Sequence, residues 1–341
     1  LISKRFPIGK EEVIENAPRA RFMDFYTKYY VPSKMTFVVV GDVDAAEVEE
    51  RIKANFGSMK NPETIGEDPD LGTVTTPDGL VPHIFSDPEL DSTDISLLLV
   101  RPYEPVADTK ESRAAKIPLV IANFIIGRRF DRLSKIENSP IANGDSSKFE
   151  MFNEVQLGSI SVTAADDRWQ EATPLLEQEF RRALEYGFTE AELSEAKANL
   201  LNTYNEAVKR KDSRKSETLA SGIAQAVNEG TVFTTPQTSL EIVSDALDKI
   251  TAEKVHEDFK AFWDAPGYHL FLSTKTATED AKDELAAIYQ ESAEKSVEAP
   301  VARAVIPFGY TDFGKAGEVA KTAEVEDLGI TQLTLANNIR V

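Results

Sequence analysis

Cysteine is absent from this 341-residue chain, which excludes a disulfide, a thiolate metal site and a cysteine nucleophile. Histidine is scarce: only His83, His256 and His269 are present. No two of them have the H-x-x-E-H or H-E-x-x-H spacing that sets two imidazoles and a carboxylate on one helical face. His256-Glu257 begins like the second motif, but Lys260 stands where its second histidine belongs. Three independent surface or boundary histidines are expected, so no catalytic residue and no metal ligand is assigned. Basic charge is also short, with 38 Lys and Arg against 58 Asp and Glu and a net charge of −20. That excludes an extended nucleic-acid or anionic-membrane surface, which needs clustered cations. It suits a soluble protein kept apart from its neighbours by repulsion. No apolar run approaches the roughly 18–20 residues of a membrane span. Zero cysteine also fits a bacterial exported protein, which favours the periplasm over the cytoplasm.

Apolar residues make up 41% of the chain, enough for ordinary cores, and the length suits two domains. The organising stretch is residues 29–44, read as helix end, turn, buried strand and helix cap. Pro32 stops the first helix, because proline disfavours α geometry at the residue before it. Residues 35–40 are a short apolar run rich in β-branched side chains, the pattern of a strand covered on both faces. Gly41 permits a sharp turn, and Asp44 with Glu47 forms a capping box for the next helix.

Upstream, residues 11–30 read as one helix with Phe22, Phe25, Tyr26 and Tyr29 on one face. Downstream, Val48, Ile52 and Phe56 stripe a second helix that Gly57 ends. Residues 59–88 carry Pro, Gly, Asp and Thr without a helical period and read as a connection with one strand near His83-Ile84-Phe85. A second unit follows: a strand at 94–101, a long apolar helix at 112–135 and paired antiparallel strands within 148–165. Next come a helix at 169–186 and one capped by Thr189 with Glu192. Helices at about 214–229, 236–249 and 252–263, a strand at 268–272 and a helix at about 278–293 complete the unit. Residues 331–341 read as a strand, an Asn-Asn turn and the start of another strand.

A shift of 234 residues superposes Asp24-Phe25 on Asp258-Phe259, Tyr29 on Trp263, Pro32 on Pro266, Phe37 on Phe271 and Asp44 on Thr278. Helix, proline turn, strand, cap and helix recur in order, which argues for two related α+β domains.

Asp42-Val43-Asp44 invites comparison with a phosphate-transfer D-x-D loop or a nucleotide-binding turn. Gly41 separates the first Asp from the strand end, and the turn has a single glycine, so cap and turn explain these residues better. The run Lys209-Arg-Lys-Asp-Ser-Arg-Lys215 is the one dense basic stretch. Docking of an acidic partner and a solvated helix junction are its two readings. Arg5, Arg128, Arg129 and Arg132 have no partner that the sequence names.

Several of these segments resemble the insulinase/pitrilysin family of zinc metallopeptidases. They are Arg5-Phe6-Pro7-Ile8-Gly9, Phe25-Tyr26 through Tyr30-x-Pro32, Val40-Gly41-Asp42-Val43-Asp44 and Phe56-Gly57. Gly127-Arg-Arg-Phe-Asp-Arg132-Leu133 resembles the family's helix-end motif, with Asp131 in place of its usual Ser. Phe308-Gly-Tyr310-Thr-Asp-Phe313-Gly314 and Thr334-Leu-Ala-Asn337-Asn-Ile-Arg-Val341 look like a linker and the first strand of a following half. Asn338 stands where the family commonly has Gly.

The resemblance implies an α+β chain of two related domains of the LuxS/metallopeptidase-like fold, the first incomplete, with antiparallel sheets packed against helices. Residues 1–60 would close the first domain and 61–92 would connect. Residues 93–295 would form the second domain, and 296–341 the linker and first strand of the next half. The zinc motif would lie upstream of Leu1, so zinc is expected in the parent protein and none in this excerpt. The expected partners are the remaining domains of the same polypeptide and a peptide substrate. The implied role is a non-catalytic portion of a zinc metalloendopeptidase that encloses peptide. The alternatives are a structural or partner subunit of the same fold and an unrelated α+β binding domain.

Overall fold

Five strands form the main sheet: β1 (Gly79–Ser86), β2 (Asp94–Pro102), β3 (Ile141–Met151), β4 (Val155–Ala164) and β5 (Gly267–Thr274). Their spatial order is β1-β5-β2-β4-β3. The computed structural model describes residues 9–67, 70–301, 309–310 and 312–341. It divides into two units, Leu1–Ala302, which holds this sheet, and Arg303–Val341.

Three of the four pairings are antiparallel, and β1 lies parallel to β5 at the edge. The sheet is thus mainly antiparallel, as expected, with this one parallel pair added at its edge. A parallel neighbour requires a crossover, and here the crossover is everything from β2 to the helix before β5.

Helices seal one face. α4 (Lys110–Ser134) starts at a capping box in which the Thr109 side chain accepts from the Ser112 N–H. Its Ile117, Ile121, Ile125, Ile126 and Phe130 pack on Ile95, Leu97, Leu99, Ile160 and Val162 of the sheet. α5 (Trp169–Tyr186) and α6 (Glu190–Lys209) follow, and α6 has the Thr189–Glu192 capping box read from the sequence. α7 (Ser216–Glu229) has no residue in the buried core cluster, and α8 (Pro236–Leu247), α9 (Ala252–Trp263) and α10 (Ala281–Ala293) complete the layer. Phe180, Phe188, Phe259 and Trp263 meet edge to face in one aromatic cluster. Each fully buried Leu, Ile or Phe in such a core contributes roughly 1.5–3 kcal/mol. At Gly158 a Cβ would come within 2.6 Å of the Phe262 ring, so this glycine lets α9 approach β4.

The region before the sheet departs from expectation twice. The helix expected over 11–30 is split into α1 (Glu11–Asn16) and α2 (Arg19–Tyr29). Ala17, which precedes Pro18, is extended with ψ 124°, as the clash with the proline ring demands. Residues 35–40 belong to neither sheet, and Phe37 and Val39 are exposed. A strand needs a neighbour for its ladder, and none is present among the described residues. The repeated copy does form one, because β5 has β1 and β2 on either side. α3 (Ala45–Phe56) begins where expected, with the Asp44 carboxylate accepting from the Glu47 N–H at 2.9 Å. The Glu47 side chain turns to Arg51 instead of closing a box.

The smaller unit contains an antiparallel pair, β6 (Val319–Val325) and β7 (Ile330–Leu335). Asn338 adopts φ 65° in the turn after β7, and a bridge joins Thr334 to Arg340. Glycine is the default at positive φ and Asn is the residue that best replaces it.

Candidate functional site

Strand alternation gives the main sheet two unlike faces. Odd-numbered residues of β2 and even-numbered residues of β4 point into the helical core. Their neighbours, Asp94, Ser96, Leu98 and Val100 with Leu157, Ser159, Ser161 and Thr163, form the opposite face. On β5 the same side carries His269, Phe271 and Ser273, and on β1 it carries Val81, His83 and Phe85. Most of these side chains are half-buried, with no helix packed over them among the described residues, so this face is the candidate site.

Its centre is polar and internally bonded. Ser96 Oγ donates to Ser161 Oγ at 3.2 Å, and Ser161 shares a 3.0 Å bond with Ser159. Asp94 accepts from Thr163 at 2.5 Å and from Ser92 at 2.6 Å. Toward β1 the character turns aromatic. His83 stacks on Phe271 with ring centroids 4.4 Å apart, and His83 Nε2 lies 2.9 Å from His269 Nδ1.

This pairing corrects the expectation of three independent histidines. The two rings are 186 residues apart in sequence, and only the β1–β5 pairing brings them together. Burial lowers the pKa of both, helped at His83 by the charge of Lys282 and at His269 by His83 itself. His256 is separate, with Nε2 donating to the Leu184 carbonyl at 2.8 Å.

The arginines without a nameable partner find theirs on α6. Arg129 is 6% exposed and makes a two-point bond with Glu192, which is 8% exposed. Its Nη2 also donates to the Gly187 carbonyl. Arg128 and Arg132 bind Glu195, and Asp131 binds Arg128 and Lys135. The helix-end motif is thus an ion-pair seam between α4 and α6. The basic run 209–215 is an exposed helix junction in which Lys209 and Arg210 pair with Glu206. Asp42 and Asp44 are exposed, and Asp44 is the cap of α3. Arg5 and the rest of 5–8 lie outside the described residues, as do Phe308 and Thr311.

The chain resembles the crystal structure of the periplasmic protease PqqL from Escherichia coli, with a TM-score of 0.77 and 23% identity, over 98% of this chain and 37% of that one. It also resembles the structure of the first half of that protease, with a TM-score of 0.75 and 23% identity, over 87% of this chain and 64% of that one. Among curated proteins, the probable zinc protease PqqL of E. coli K12 is 24% identical over 344 residues. That match covers 99% of this chain and 36% of PqqL, so the chain spans about a third of this relative. Residues 16–200 match the family described as Peptidase M16 inactive domain, and the chain belongs to this insulinase-type metallopeptidase family.

The family implies zinc, and the side chains here do not fit it. His83 and His269 are bonded to each other, and His256 is committed to a backbone carbonyl. Among the described residues no three His, Asp or Glu side chains gather as a metal would require.

Proposed function

We propose that this chain is a non-catalytic portion of a zinc-dependent metalloendopeptidase, walling the space that encloses a peptide and supporting the catalytic domain. Residues 1–60 close a first peptidase-like domain and 61–92 connect it onward. Residues 93–295 form a second such domain, and 296–341 lead into the next half. Zinc belongs to the parent protein, and the partners are the other domains of the same polypeptide and a peptide substrate. The similar PqqL is a periplasmic protease, which favours that compartment here.

One observation carries the reading. Phe22, Phe25, Tyr26, Phe37, Val39 and Phe56 are all exposed across a short region that also holds the unpaired segment 35–40. A patch of this kind on a monomer marks an interaction surface. A segment with the composition of a buried strand calls for neighbouring strands, as the first domain of a two-domain half would supply. The open face of the main sheet then has its own role, as a wall lined by hydroxyl and aromatic groups.

The test compares the chain alone with its parent protein. Hydrogen exchange of residues 19–56 should be fast in the chain alone and slow in the parent. Peptide cleavage should be found in the parent only and should vanish with a chelator. Equal protection in both proteins would overturn the domain assignment. Zinc-dependent cleavage by the chain alone, surviving stringent purification, would overturn the non-catalytic role. A parent with protected 19–56 and no H-x-x-E-H motif would instead be a structural partner subunit of the same fold.

A further inference from the structure

Arg101 ends β2 on the side of the sheet that faces the helices, opposite the open face. Its Nε donates to Gln156 Oε1 at 2.7 Å and its Nη1 to the Phe262 carbonyl at 3.1 Å. The guanidinium lies 4.8 Å from the centroid of the Phe262 ring. These contacts hold the group in place and leave Nη2 without a hydrogen bond. No carboxylate lies within ion-pair distance of Arg101 among the described residues. Burial pulls its pKa below the usual value. A half-buried cation normally has a counter-ion. Here it has none, in a protein whose net charge is −20.

A pocket of about 390 Å³ opens beside it, between α4, α9 and the ends of β2, β3 and β4, with Asp258 also in its lining. Lys116, Lys148 and Lys254 also line it, against an apolar wall that includes Leu119 and Phe262. Lys148 is paired with Glu150 at 2.5 Å and Lys254 with Asp258 at 2.7 Å. Lys116 is exposed and has no ion pair among the described residues, though its charge is felt by Asp108. Two of the four cations, Arg101 and Lys116, therefore lack an ion pair among the described residues, and both border the same cavity.

We infer that this pocket binds a carboxylate carried on an apolar stem. The free Arg101 nitrogen and the Lys116 ammonium are donors for the carboxylate oxygens, a charge-assisted arrangement. The Leu119 and Phe262 side chains receive the stem. A small organic acid and the C-terminal carboxylate of a peptide present the same chemistry. The site is independent of the open face and of the proposed protease role.

The test titrates the full chain at low ionic strength by heteronuclear NMR. The probes are hexanoate against hexanamide, and acetyl-alanyl-leucine as free acid against its amide. Both acids should shift resonances of Arg101 and the facing turns of α4 and α9. The amides should bind at least about tenfold more weakly, the loss of one charge-assisted bond. Lys116→Gln, on an exposed position, should weaken the acids several-fold with the melting temperature unchanged. Arg101→Gln should abolish binding if it folds. Tighter binding of the dipeptide acid than of hexanoate identifies a peptide terminus, and equal binding identifies a small acid. Acids that bind no better than amides, an undiminished Lys116→Gln, or no binding at all overturns the site.

Discussion

His83 and His269 share one hydrogen bond, Nε2 to Nδ1 at 2.9 Å, across the only parallel strand pair of the main sheet. One ring must donate and the other accept, so the contact requires that the facing nitrogens hold a single proton between them. Double protonation puts two donors and two charges face to face. Both pKa values lie below the ordinary 6.5, chiefly through burial. A lowered histidine pKa means that the folded state binds fewer protons than the unfolded one. The stabilisation is therefore present above pH 6.5 and is lost as pH falls through the folded values. Thermal melts should show a lower midpoint at pH 5 than at pH 8. His83→Gln should flatten that difference, and an unchanged difference would show that the pair does not titrate with folding.

Arg129 and Glu192 form the buried link between α4 and α6. Burial raises the Glu192 pKa, but the Arg129 hydrogen bond and charge, aided by Thr189, outweigh it and bring the net value below 4.5. Its stabilisation is present above that value and is lost as pH falls below it. Arg129→Met leaves the buried Glu192 carboxylate with only Thr189 and a distant Arg132 at 3.9 Å, and should cost about 3 kcal/mol in urea unfolding. Replacing Glu192 by Met in the same chain should recover much of that loss, because the uncompensated charge is then gone.

Asp108 clips the start of α4 to the loop before α8. It accepts from Arg113 at 2.7 and 2.5 Å and from the Val232 N–H at 2.8 Å. The Arg113 hydrogen bonds hold its pKa down at about 2, against the ordinary 3.8. The contribution is present above pH 3.8 and disappears as pH falls toward 2. Asp108→Asn should destabilise by about 1–3 kcal/mol at neutral pH, with the difference from wild type shrinking in acid. Urea titrations at pH 7 and pH 3 read both effects.

Gly158→Ala adds a methyl group where Phe262 and Trp263 leave no room. The expected loss is about 1–3 kcal/mol, with disturbed tryptophan fluorescence from Trp263. A neutral result would mean that α9 can move off β4.

The helices and their caps were legible because their causes are local. Thr189 and Glu192, or Asp44 with its following apolar stripe, lie within one turn of what they control. β2 and β4 were legible as strands from their apolar runs for the same reason, but not which of their faces meets the helices. The segment 35–40 failed because a strand depends on neighbours, and its apolar pattern says nothing about whether they are at hand. The split at Ala17 was in principle readable, since the constraint before Pro18 is local. β6, with its exposed and partly charged surface, carries no apolar alternation to mark it. The histidine pair was hidden for a different reason. Both residues have the right strand parity, yet no local feature tells β1 to lie beside β5. The pocket at Arg101 is likewise assembled from β2, α4, β3, β4 and α9, five segments whose spacing in sequence carries no common signal.

The edge position of β1 has a consequence in time. Its one neighbour in the sheet, β5, lies nearly the whole domain later, with 186 residues between His83 and His269. At a ribosomal pace of about 5–20 residues per second, β1 waits roughly 10–40 s after its own synthesis before that neighbour exists. Throughout that interval its backbone donors and acceptors are open to any other extended segment. Pro82, within the strand, withholds one of those donors and makes the waiting edge a poorer template for a stranger.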